Sequence, residues 1–133
     1  MQLNISTDYA LRIVVYLAKS GNVVPSSKIA MELGISQRYL LQVSSKLRDA
    51  GMLVVSYGPN GGLKIAKKAD SISLYDIFVL MQGPSASKPH PFRGVSASNT
   101  LACVDNTLRS VEKHLFEYLS QITLDCILKE DLN

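Results

Sequence analysis

Between Ser36 and Asp49 the chain sets Gln37, Arg38, Tyr39, Gln42, Ser45 and Lys46 on the outward side of a helical repeat, and none of these is acidic. Gln can pair with an adenine edge, and Arg or Lys with guanine or with phosphate, so these side chains at this spacing suit a DNA major groove. Other candidate chemistry is thin. Cys103 and Cys126 are the chain's thiols, and His90 and His114 its imidazoles. There is no G-x-S-x-G turn, and the glycines of GPNGG at 58–62 lack the Lys-Ser/Thr of a phosphate loop. No catalytic arrangement emerges, and an enzyme is not expected.

The elements that must position that polar face come from residues 26–51, SSKIAMELGISQRYLLQVSSKLRDAG. Ser26 is expected to cap a first helix whose apolar residues are Ile29, Ala30 and Leu33. Gly34 stops it, because glycine takes a left-handed backbone at little cost. Ile35 points inward from the turn and Ser36 caps a second helix. Leu40, Val43, Leu47 and Ala50 line the inner face of that helix, which ends at Gly51. Two short helices around a glycine turn match a helix-turn-helix, whose second helix enters the groove. Spacing alone also fits a plain helical hairpin in a bundle.

The residues after Gly51 favour DNA. Leu53-Val54-Val55-Ser56-Tyr57 is rich in β-formers, GPNGG is a dense turn, and Leu63-Lys64-Ile65-Ala66 restores alternation. A β-hairpin directly after a recognition helix is the order of a winged helix, and glycines at its tip would let a sugar–phosphate backbone approach closely.

Before this unit, a helix from about Ser6–Asp8 to Lys19 carries Ala10, Ile13, Val14, Leu17 and Ala18, widened by Leu11 and Val15. So broad an apolar surface suits the centre of a core. After it, Ser73 and Asp76 form a capping box for a helix over about 74–82. Residues 84–99, with three of the five prolines and four serines, read as a flexible loop. From there Leu101, Val104, Leu108, Val111, Leu115, Tyr118 and Ile122 alternate spacings of three and four, a coiled-coil-like seam suited to a second copy. Packing against its own domain is the alternative. Thr123 caps a last short helix. The expected class is mostly α with a small β-hairpin: a winged helix-turn-helix over 1–83, a sensor-type loop over 84–99, and a dimerisation helix with a short terminal helix over 100–133.

Charge is divided unevenly. Residues 1–69 hold nine Lys/Arg against three Asp/Glu, whereas 70–133 hold five against eight. A basic N-terminal half suits a phosphate backbone, whose counterions it would release. No apolar run is long enough to span a bilayer and no signal peptide is evident, so a cytoplasmic protein without membrane association is expected.

Four stretches in this order, DYALRIVVYLA, KIAMELGISQRYLLQVSSKLRDAGML, GPNGGLKIAKKADSISLYDI and ITLDCIL, resemble the Rrf-type family of bacterial winged-helix transcriptional regulators over nearly the whole chain. The resemblance implies a homodimeric sequence-specific regulator, a repressor more often than an activator. Its recognition helix and wing would lie on double-stranded DNA. The contacts carried onto this chain are Ser36, Gln37, Arg38, Tyr39 and Gln42 on the recognition helix and Tyr57, Gly58 and Asn60 on the wing; Ser27, Lys28, Lys46 and Lys64 complete the expected DNA-binding set, the three lysines as phosphate partners. Tyr57 stands where the family's wing often has Arg, Gln2 where a basic residue is frequent, and Leu41 where some cluster-binding members carry Glu.

Iron–sulfur members of the family carry three closely spaced cysteines before the long helix. Here only Cys103 lies near that place and His90 is the loop's lone imidazole, so no iron–sulfur cluster, other cofactor or metal is expected. Cys103 is instead a candidate redox thiol, with an inert small residue as the alternative. A small-molecule effector or a partner protein would then supply the signal. The competing function is a winged-helix module that docks a metabolic enzyme or regulator.

Overall fold

The computed structural model describes residues 4–82 and 99–130. In chain order it forms α1 (Ile5–Ser20), α2 (Ser26–Leu33), α3 (Gln37–Asp49), β1 (Leu53–Ser56), β2 (Gly62–Ile65), α4 (Leu74–Gln82), α5 (Ala102–Gln121) and α6 (Leu124–Leu128). This is the winged helix-turn-helix with a long C-terminal helix that the sequence predicts. Residues 84–98 of the expected sensor-type loop, His90 among them, lie outside the described residues. No described helix is long and apolar enough to cross a membrane.

The core is built round α1. The Asn4 side chain accepts a hydrogen bond from Ser6 N at 2.9 Å and starts this helix slightly earlier than its apolar pattern suggests. Ala10, Ile13, Val14 and Leu17 are fully buried, and α1 touches α2, α3, α4, α6 and β2. The stripe is wide because neighbours lie on several sides.

The helix-turn-helix is closed by backbone geometry. Gly34 has φ 67°, and Ile35 N donates to Ala30 O at 3.1 Å across the turn, satisfying a carbonyl at the end of α2. Ser36 Oγ accepts from Tyr39 N at 3.1 Å, the expected cap of α3. Ser26 differs from expectation. Pro25 occupies the cap position of α2, and Ser26 Oγ accepts from Gln37 Nε2 at 2.9 Å instead. A hydroxyl read as a local cap therefore ties the beginnings of α2 and α3 together.

β1 and β2 pair antiparallel, with Leu53 opposite Ile65 and Ser56 opposite Gly62. Val24 adds a bridge to Leu63, through Val24 N to Leu63 O at 2.9 Å and Leu63 N to Val24 O at 2.8 Å. A Cβ on Gly62 would fall on the Val24 carbonyl. That glycine is required by the fold's own backbone rather than by DNA.

The Ser73 box forms as expected: Asp76 N donates to Ser73 Oγ at 3.1 Å and Ser73 N to Asp76 Oδ2 at 3.0 Å. On α5, Phe116 and Leu119 face the rest of the chain. The Phe116 ring lies 5.4 Å from Tyr75 and 6.1 Å from Phe78, centroid to centroid, and Leu119 is buried. After α5 the chain returns to the core. Leu74 N donates to Ile122 O at 2.8 Å and Leu124 N to Ile72 O at 2.9 Å, which sets Ser73 and Thr123 in an isolated bridge. Thr123 Oγ1 caps α6 by accepting from Cys126 N at 3.3 Å. Leu124 is fully buried in the core that holds α1, which contributes roughly 1.5–3 kcal/mol for a side chain of that size.

Candidate nucleic-acid interface

The inner face of α3 fixes its outer face. Leu40, Val43, Ser44 and Leu47 are buried, so a rotation of about 100° per residue turns Gln37, Arg38, Leu41, Gln42 and Lys46 to solvent. Gln37, Arg38, Gln42 and Lys46 line an open groove of about 970 Å³, with Ser6 and Met81 on its far side. Among the described residues, Lys28, Arg38, Lys46 and Lys64 make no ion pair. Their charge is uncancelled by any described carboxylate.

The hairpin stands beside this face. Tyr57, Gly58 and Asn60 are exposed at its tip, and Lys64 is exposed on β2 opposite Val54. A second, smaller notch of about 340 Å³ separates α3 from the hairpin, lined by Leu41, Ser44, Ser45 and Arg48 on one side and Val55, Tyr57 and Leu63 on the other. Ser27, Lys28 and Ser36 are exposed near the start of α2 and the turn. The tie from Gln37 to Ser26 brings those two helix starts together.

Tyr39 lines the same groove but is also anchored behind it. Its ring packs against the core and meets Tyr9 of α1 edge-on, and its hydroxyl is buried without a hydrogen-bond partner among the described residues. Two residues that sequence reasoning left out of the contact set do lie on the face. Arg48 is exposed, with Nη2 3.5 Å from both Ser45 Oγ and Asp49 Oδ1, and Leu41 forms the ridge between groove and notch. The signal for both was present in the sequence, since 41, 45 and 48 recur at helical spacing.

On the seam, Leu101, Val104, Leu108, Val111 and Tyr118 are exposed, whereas Leu115 and Ile122 are half-buried. Leu119 lies on the same line of α5 as Leu101 and Leu108, with Phe116 beside it, so the apolar stripe is open along most of its length and closes onto its own chain at Leu119. Cys103 is exposed near the start of α5, with Sγ 3.7 Å from Thr100 O. Cys126 is half-buried on α6, and Thr123 Oγ1 donates to its sulfur at 3.3 Å. His114 Nδ1 lies 2.7 Å from Ser110 O on the exposed side of α5.

Comparison with known proteins places this architecture. The Rrf2 family model, described as an iron-dependent transcriptional regulator, matches residues 3–130. The HTH-type transcriptional regulator IscR of Cereibacter sphaeroides is 31% identical over 144 residues, covering 99% of this chain and 90% of the relative. The structure of CymR, the global cysteine regulator of B. subtilis, superposes with a TM-score of 0.81 at 25% identity, over 99% of each chain. IscR of T. potens superposes with a TM-score of 0.73 at 25% identity, over 99% of this chain and 89% of that one.

Proposed function

The chain belongs to the Rrf2 family of transcriptional regulators, and from that premise we propose that it binds operator DNA as a homodimer and represses transcription without an iron–sulfur cluster. The observation that carries the reading is the α3 face. It is polar and cationic, free of carboxylates until Asp49, and flanked by a hairpin with an exposed glycine-containing tip. Gln42 and Arg38 would read base edges in the major groove while Lys28, Lys46 and Lys64 meet phosphates. Ser36 and Gln37, at the N-terminal end of α3, would add a phosphate contact at the positive end of a helix. Tyr57, Gly58, Asn60 and Ser27 would border the backbone.

Dimerisation is supported by the open stripe of α5. Leu101, Val104, Leu108, Val111 and Tyr118 run along one side, each between 42% and 58% exposed. Two copies joined there would present two recognition helices to successive major grooves, about 34 Å apart. The winged helix over 1–83 would be the reading head and 100–133 the part that joins the copies, with any sensing segment at 84–99 between them.

The donor set does not fit a cluster. Clusters of this kind are held chiefly by four thiolates. This chain has one thiol at the start of α5 and one on α6, the latter engaged with Thr123. Among the described residues no three His, Cys, Asp or Glu side chains gather as metal ligands would. The signal would then be a small molecule, a partner protein or the Cys103 thiol.

An electrophoretic shift with the DNA upstream of the protein's own gene tests the central reading; a retarded band abolished by Arg38→Ala is expected. An intact dimer that shifts no DNA would instead favour a protein-docking module. For that reading the relevant observation is Tyr57, an aromatic residue 86% exposed at the wing.

A further inference from the structure

One residue of the α3 face differs in kind from its neighbours. Leu41 is 47% exposed, yet it is followed by Gln42 and lies one turn from both Gln37 and Ser45. It takes no part in the core, which Leu40, Val43 and Leu47 of the same helix supply. It lines both the groove that holds Gln42 and the notch against the hairpin, and is therefore the crest between them. A side chain on the crest of a recognition helix is placed to meet base edges. An isobutyl group there has one apolar counterpart on the major-groove edge of B-DNA, the 5-methyl group of thymine.

We propose that Leu41 is a specificity-determining residue that reads the 5-methyl group of one thymine in each operator half-site, beside the hydrogen-bonding readout by Gln42. The inference rests on the DNA-binding reading above and adds a chemical requirement to it: a methyl group at one defined position, with no hydrogen bond from the protein to that base. Arg38 and Gln42 discriminate by donors and acceptors. Leu41 discriminates by burying a methyl group that cytosine and uracil lack.

The test uses the full-length protein and an operator obtained by selection from a random duplex pool. Each thymine of the half-site is replaced in turn by deoxyuridine, which removes only the methyl group. At one position the wild-type protein is expected to lose about fourfold in affinity, the worth of one buried methyl. Leu41→Ala is expected to bind the thymine and uracil operators equally. Because Leu41 lies outside the core, this variant should melt with the wild type, and Leu41→Met should retain the preference for thymine. Indifference of the wild type to every uracil replacement would overturn the assignment, as would equal losses in wild type and Leu41→Ala. Enrichment of no sequence, with no shift of any duplex, would instead bring down the DNA-binding reading and this inference with it.

Discussion

The rings of Tyr9 and Tyr39 meet edge to face, centroids 5.6 Å apart and planes at 84°. That contact couples the central helix α1 to the first turn of α3, and it turns a residue from the polar stretch inward. The Tyr39 hydroxyl is buried and has no hydrogen-bond partner among the described residues, and a buried hydroxyl left without a partner costs free energy. Tyr39→Phe is therefore expected to raise stability by up to about 1 kcal/mol, seen as a higher denaturation midpoint, with operator affinity unchanged. A loss of affinity without a loss of stability would return Tyr39 to the contact set.

Salt should weaken operator binding steeply. Each phosphate contact adds about −0.9 to the log–log slope of affinity against salt. Arg38→Ala should weaken binding, and Lys46→Ala should also flatten the slope by about one unit if Lys46 meets one phosphate. Gln42→Ala should relax discrimination at one base pair by about 1–3 kcal/mol. Titrations across a salt series check all three variants.

On α5 the exposed part of the stripe and the buried contacts near its end separate association from folding. Leu108 and Val111 are 42% and 58% exposed within one chain. Asp at either position would carry a charge into the proposed interface between copies, while neither residue belongs to the buried core of the single chain. Sedimentation should show a monomer whose circular dichroism matches the wild type. A persistent dimer would mean that another surface joins the copies.

Phe116→Ala should act in the opposite sense. Its ring packs on Tyr75 and Phe78, so its removal should lower stability by about 2–3 kcal/mol while the α5 stripe stays intact. Denaturant titration at several protein concentrations would separate this loss from any effect on association.

Peroxide should oxidise Cys103 before Cys126, because the first thiol is exposed and the second half-buried. Mass analysis of the two peptides reads the order, and a Cys103→Ser variant should lose any peroxide response of operator binding. Protein purified without oxygen should be colourless; iron and sulfide near cluster stoichiometry would overturn the cluster-free proposal.

What was legible in the sequence was local. Gly34, Ser36 and the Ser73–Asp76 box act within four residues of themselves, and they bound the helices where short-range rules place them. What was not legible depends on distant neighbours. Tyr39 follows Arg38 in a polar run, and its packing against the core and Tyr9 depends on residues of another helix. Ser26 has the residue type of a cap but finds Gln37. The glycines of the hairpin suit close approach to DNA, yet Gly62 is demanded by the Val24 carbonyl. On α5, heptad spacing picks out the stripe, whereas the packing of Phe116 beside it becomes visible only once Tyr75 and Phe78 of α4 are in place.

The backbone bonds that join Ile72 to Leu124 and Leu74 to Ile122 have a kinetic consequence. They unite segments about fifty residues apart in a mostly helical protein. Folding must bring those ends together before Leu124 can enter the core, so refolding should be slower than helix content alone suggests. The dependence on loop length is logarithmic, so doubling the closed segment costs only about 0.6 kcal/mol. Lengthening the chain between α4 and α5 should thus delay refolding while leaving the equilibrium almost where it was.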